Sequence, residues 1–168
     1  MNPNKALWEK GDFTRIAESM RESGEALVKG LGITKGLKVL DLGCGDGTTA
    51  LPEARLGADV LGVDIARNLV EAGNKRAEEH GLPNCKFQEG DASALHGLQD
   101  DTFDHVVSIF GAMFAPRPER ARIESARHVR CGVGGGGRRD SSYPADLRGA
   151  AGHYWISAPA AGVVRPRS

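Results

Sequence analysis

VLDLGCGDGTTA, residues 39–50, joins a short apolar run to an acid and then to three evenly spaced glycines, Asp41-x-Gly43-x-Gly45-x-Gly47. Glycine lets the backbone turn sharply and lets a ligand approach the main chain, and a helix after such a turn offers unpaired N–H groups at its positive end. Read outward, LKVLDLGCG is a strand that ends in a turn, and residues 48–56 are a helix in which Pro52 falls early enough to be tolerated. The pattern then repeats. ADVLGVDIA is a second strand ending at Asp64, and NLVEAGNKRAEEHG is a surface helix stopped by Gly81. CKFQEGDAS alternates and ends near Asp91, while FDHVVSIFGAMF is almost continuously apolar. Strands that alternate with helices and are apolar throughout imply an α/β domain: a parallel sheet, helices on both faces, right-handed crossovers.

Upstream, Phe13, Ile16, Met20, Leu27, Val28 and Leu31 recur at helical spacing, with Asp12 in place to cap and a break expected near Ser23 and Gly24. Downstream of Pro116 the logic changes. A weak helix is expected over residues 119–129, and beyond it a Gly-, Arg-, Ser- and Ala-rich stretch shows neither period. Such composition does not repay the ordering entropy of a core. The division expected is a helical segment at 1–36, an α/β core at 37–116, and an atypical, disordered tail at 117–168.

Composition sets the bounds. A chain of 168 residues, 40% of them hydrophobic, suits one domain with a buried core. No apolar stretch approaches the roughly 20 residues of a membrane span, and MNPNKALWEKGD has neither the basic nor the apolar region of a signal peptide, so a cytoplasmic location is expected. Cys44, Cys85 and Cys131 are odd in number and far apart, which suits reduced thiols better than disulfides or zinc. The formal net charge is zero, yet from Arg117 onward ten Arg and no Lys face four acids, Glu119, Glu124, Asp140 and Asp146. This basic tail lacks the aromatic interleaving or helical pattern of a recognition module, which argues against nucleic acid as a partner.

Three acids close three successive strands: Asp41, Asp64 and Asp91. In an open α/β sheet they share the carboxyl edge, where ligands bind. Asp64 follows the glycine turn by about twenty residues, the place from which a carboxylate accepts hydrogen bonds from ribose hydroxyls; its plainer reading is an acid at a helix N-terminus. A nicotinamide fingerprint, G-x-G-x-x-G, would need its third glycine where Thr48 stands.

Taken jointly, D-x-G-x-G-x-G, the acid of VLGVDIA and the GDA of EGDAS resemble class I S-adenosyl-L-methionine (SAM)-dependent methyltransferases. The resemblance is greatest to the small-molecule branch with ubiquinone and menaquinone biosynthesis methyltransferases, and it covers residues 37–114. It implies a three-layer Rossmann-like fold and SAM as cofactor. It also implies a donor site in which Asp41, Gly43, Cys44, Gly45 and Gly47 form the turn at the methionine part. Asp64 and Ile65 would then lie at the ribose and adenine edge, Asp91 and Ala92 at the adenine, and Ser108 and Ile109 near the cofactor. The acceptor implied is a small molecule, since the fourth strand lacks the N/D-P-P-Y run of enzymes that methylate amino groups of bases and glutamine.

The departures lie downstream. Where the family continues into further strands, this chain has Gly134 to Gly137 and RRDSSYP, as a truncated or frameshifted C-terminal half would read. The sheet is therefore expected to be incomplete after the fourth strand, leaving an apolar edge prone to self-association. No metal-ligand cluster is expected. His80, His96, His105, His128 and His153 are scattered, so no catalytic residue is assigned. Phe110, Met113 and Phe114 are candidates for an acceptor pocket, and Trp8 and Phe13 for a lid, with core packing the plainer reading of each. Two other classes stay open: a non-catalytic remnant that keeps some nucleotide binding, and a NAD-type oxidoreductase, against which Thr48 and Asp91 argue.

Overall fold

A computed structural model describes residues 4–92, 95, 98, 102–109 and 111, and residues 126–132 as a backbone strand. The N-terminal segment forms α1 (Lys5–Lys10) and α2 (Phe13–Lys29). The break expected near Ser23 and Gly24 is absent. Gly24 is instead where α2 lies against Thr48, so closely that a Cβ there would press on the Thr48 carbonyl oxygen and methyl group. Asp12 holds the N-cap position, but its carboxylate accepts from the Thr14 hydroxyl at 2.7 Å rather than from a helix N–H.

Strands β1 (Lys38–Leu42), β2 (Asp59–Asp64) and β3 (Cys85–Glu89) are linked by helices α3 (Ala50–Arg55) and α4 (Arg67–Glu79), and β4 (Phe103–Ile109) follows. Every pairing is parallel, with Asp41 of β1 opposite Gly62 of β2 and Val107 of β4. The spatial order is β3-β2-β1-β4-β5. From β1 the chain builds outward to β3, then returns across β1 to β4, so the winding reverses between β1 and β4. At such a reversal the connections diverge and leave a crevice at the carboxyl ends of the strands.

The fifth strand, β5 (Ala126–Gly132), lies parallel beside β4 with Val129 opposite Val106. It adds one strand beyond the four expected, and it makes residues 126–129 strand rather than the end of a helix. ARHVRCG has no apolar run to announce it. What orders it is the neighbouring edge, whose row of N–H and C=O groups needs partners wherever water is shut out.

The strand pleat sends successive residues to opposite faces. On one face Val39, Val60, Phe87 and Val107 pack with Val28 of α2, Leu51 and Ala54 of α3, and Val70 and Ala77 of α4. On the other, Leu40, Leu42, Val63, Phe103 and Val106 form a second cluster against Leu95 and Leu98. The ring of Phe87 fills a slot that three glycines leave open: a Cβ on Gly47, Gly62 or Gly73 would strike it. No helix among the described residues is long and apolar enough to cross a membrane.

Candidate functional site

The site begins where β1 runs into its turn. Gly43 and Gly45 have φ of +66° and +56°, a region that costs a side-chain-bearing residue roughly 1 kcal/mol or more. The Gly43 amide donates to the Val63 carbonyl at 2.8 Å, tying the turn to the end of β2. Just beyond β4, Gly111 approaches so closely that a Cβ on Gly43 would fall on its backbone. At Gly45 the reverse holds: a Cβ would meet nothing within 4 Å, so bare main chain faces open space. The third glycine is different. Gly47 packs against Leu51 and Phe87 and is not among the residues that bound the hollow.

Above the turn lies a cavity of about 400 Å³ at the β1–β4 reversal, bounded by Gly43, Cys44, Gly45, Asp64, Ile65, Asp91, Ala92, Ile109 and Gly111. Two of the three strand-end acids therefore share one hollow. Asp64 accepts from the Gly45 amide through Oδ2 at 2.9 Å and from the Ala66 amide through Oδ1 at 2.9 Å. It holds the start of α4 and the turn together, and those two bonds use about half of a carboxylate's four acceptor positions. Burial pushes its pKa up, against the pull of those amides.

The third acid lies beneath the floor. Asp41 is 1% exposed, accepts from the Thr49 hydroxyl at 2.5 Å, and leaves Oδ1 without a partner. Burial, reinforced by the charge of Asp64 and opposed by the Thr49 bond, pushes its pKa up to about 7. Asp41 thus supports the turn from below instead of bounding the cavity. Ser108 is buried as well: its hydroxyl donates to the Leu42 carbonyl at 2.7 Å and joins β4 to β1 behind the site. Burial, then the charges of Asp41 and Asp64, hold the Cys44 thiol well above its ordinary pKa, which favours the protonated thiol in the cavity wall.

Nothing in the sequence pattern marks Asp46, yet it is the best-anchored residue of the turn. It is 1% exposed and pairs with Arg21 of α2 at 2.7 Å and Arg76 of α4 at 3.4 Å, while Arg76 also donates to its carbonyl at 2.6 Å. The partners stand 25 and 30 residues away, beyond any local spacing rule. Helices α1 and α2 form the remaining wall with Trp8, Phe13, Ile16, Met20 and Leu27. Trp8 and Phe13, the residues expected at a lid, are ring partners at 4.7 Å between centroids. Helix α1 is fastened by ions: Lys5 pairs with Glu89, which also receives Arg67 at 3.1 Å, and Glu9 accepts from the Arg67 amide at 3.3 Å.

Among the described residues no group of His, Cys, Asp or Glu is arranged to hold a metal. Phe110, Met113, Phe114, His96, His153 and Gly134 to Gly137 lie outside the described residues.

Residues 39–132 match the family described as methyltransferase domain. An uncharacterised protein of Mycobacterium tuberculosis is 39% identical over 130 residues, 77% of this chain and 47% of that one. The ubiquinone biosynthesis O-methyltransferase of Maricaulis maris is 35% identical over 98 residues, 58% of this chain and 38% of the enzyme. Among solved structures, magnesium protoporphyrin IX methyltransferase of Synechocystis, with bound S-adenosylhomocysteine (SAH), superposes with a TM-score of 0.56 at 26% identity, over 70% of this chain and 56% of that one. The chain spans about half the length of the curated relatives it matches. The matched segment runs from β1 through β5 and contains the turn, Asp64, Asp91 and the strand reversal, so the chain belongs to the methyltransferase domain family.

Proposed function

We propose that this chain is a SAM-dependent methyltransferase that acts on a small-molecule acceptor. One observation carries the reading: bare main chain at Gly45, the carboxylate of Asp64 and the Asp91–Ala92 edge bound a single cavity at the strand reversal. The fit is tested at Gly45, where a side chain would project into the cavity; its absence leaves room for the methionine part of the cofactor beside the turn. The remaining acceptor capacity of Asp64 suits the hydroxyls of a ribose, and Asp91 with Ala92 suits the adenine amino edge. Ile65 and Ile109 would flank that nucleoside. Asp41 and Ser108 lie behind the cavity, and Asp46, which borders it, is engaged by Arg21 and Arg76; all three hold the turn and the strand ends in place.

When bound, SAM supplies a methyl group on a sulfonium, ready for in-line displacement. The work left for this chain is to bind, align and shut out water, which accounts for much of the acceleration in two-reactant chemistry. The α1–α2 wall closes the cavity on the side away from the sheet. No general base is assigned.

Calorimetric titration with SAH tests the reading. SAH binds the wild-type chain, NADH does not displace it, and Asp64→Asn weakens it by about tenfold through loss of a charge-assisted bond. A chain that does not bind SAH, or an Asp64→Asn variant with unchanged affinity and unchanged melting, overturns it. Methyl transfer from labelled SAM, measured beside binding, separates an enzyme from a protein that only holds the cofactor.

A further inference from the structure

The cavity has two unlike sides. Its charged lining, Asp46, Asp64 and Asp91, is all on the sheet side, and the Asp46 charge is met by Arg21 and Arg76. The α1–α2 side is built from Trp8, Phe13, Ile16, Met20 and Leu27 and brings no charged side chain of either sign to the cavity. Among the described lining residues there is no Lys, Arg or His at all. A carboxylate or phosphate ester seated against the helices would lose its water with no cation among the described lining residues to receive it. An ammonium seated against the helices would find no carboxylate on that side. An unpaired charge that loses its water there is not repaid by apolar contact.

We infer that the methyl acceptor is an uncharged molecule with a flat, largely apolar body that lies against the Trp8–Phe13 ring pair and the adjoining Ile16 and Met20. This rests on the methyltransferase reading above, because the donor is taken to fill the sheet side of the same cavity. Trp8 and Phe13 meet at an interplanar angle of 50°, which leaves a flat molecule one ring to lie along and the edge of a second to meet. Ile16 is the specificity-setting position: it lines the cavity and is 54% exposed, so it stands where an acceptor enters.

The test uses three probes with one ring system and different charge: 2-naphthol, 2-naphthoate and 2-naphthylmethylammonium. Each is titrated calorimetrically into the full chain at neutral pH, with and without saturating SAH. The neutral probe is expected to bind about tenfold more tightly than either ion, the penalty of an unpaired buried charge. Ile16→Lys is expected to shift preference toward naphthoate by about fivefold. Trp8→Ala is expected to weaken naphthol by a similar factor with SAH affinity retained, since Trp8 is on the helix side. Circular dichroism confirms that both variants fold, and Ile16, being half in solvent, is the safer of the two. Equal or tighter binding of either ion by the wild type overturns the inference, as does an unmoved preference in Ile16→Lys. Failure of naphthol to bind while SAH binds also overturns it and leaves the methyltransferase reading standing; failure of SAH to bind removes that reading instead.

Discussion

Glu53 of α3 is a carboxylic acid with no exposure and no partner for either oxygen. Burial, then the charge of Asp41, raises its pKa well above the ordinary value. Asp41, raised to about 7, behaves in the same sense. Both groups bind protons in the folded chain that the unfolded chain releases above about pH 4. Their stabilising effect is therefore present in acid and is lost as pH rises, for Asp41 through about 7 and for Glu53 through a value raised well above the ordinary carboxylate range. Replacing Glu53 with Gln removes that slope. Thermal melts from pH 5 to 9 are expected to show Glu53→Gln gaining on the wild type as pH rises. For Asp41→Asn the gain levels off above about pH 7. A gap that does not depend on pH would mean that neither acid is held neutral by the fold. The residue scale is also where sequence was least sufficient. Asp64 and Asp91 are legible because strand ends set their positions, whereas Asp46, Glu53 and Ser108 owe their roles to partners tens of residues away.

At the scale of elements, Phe87 and its glycines explain a puzzle in composition. Gly73 sits inside α4, where glycine costs about 1 kcal/mol relative to alanine, so propensity alone favours Gly73→Ala. Packing decides otherwise. A Cβ at that position would come within 2.8 Å of the Phe87 ring, and overpacking costs about 1–3 kcal/mol. Gly73→Ala is therefore expected to lower stability by about 1 kcal/mol or more in urea melts. Gly73→Ala combined with Phe87→Leu is expected to recover part of that loss; a stabilised single variant would show that the ring yields freely. The first four strands were legible because β1, β2 and β4 are apolar runs and β3 alternates, each closed by a glycine or an acid. β5 was not, since three of its seven residues are Arg or His and its pairing is decided by β4. The continuity of α2 through Gly24 was hidden for a like reason: glycine normally weakens a helix, and only the contact with Thr48 shows what it is for.

For the molecule as a whole, β5 alters what the sheet presents to its surroundings. β4 is flanked on both sides, by β1 and β5, so the bare apolar edge invoked for self-association is not found at that strand. Two of the ten Arg that give the region from Arg117 onward its +6 balance, Arg127 and Arg130, belong to β5. The other whole-molecule feature is the fastening of α1. Its ties to the body, Lys5 with Glu89 and Glu9 with the Arg67 amide, are partly exposed and belong to a kind of contact that weakens as counter-ions crowd in. Brine should thus act as a key to this door: between about 0.1 and 1 M salt the screening length shrinks from about 10 to about 3 Å. Stopped-flow release of SAH is expected to quicken across that range, with the effect blunted in Lys5→Met, so that the ionic medium would set how long a guest stays inside.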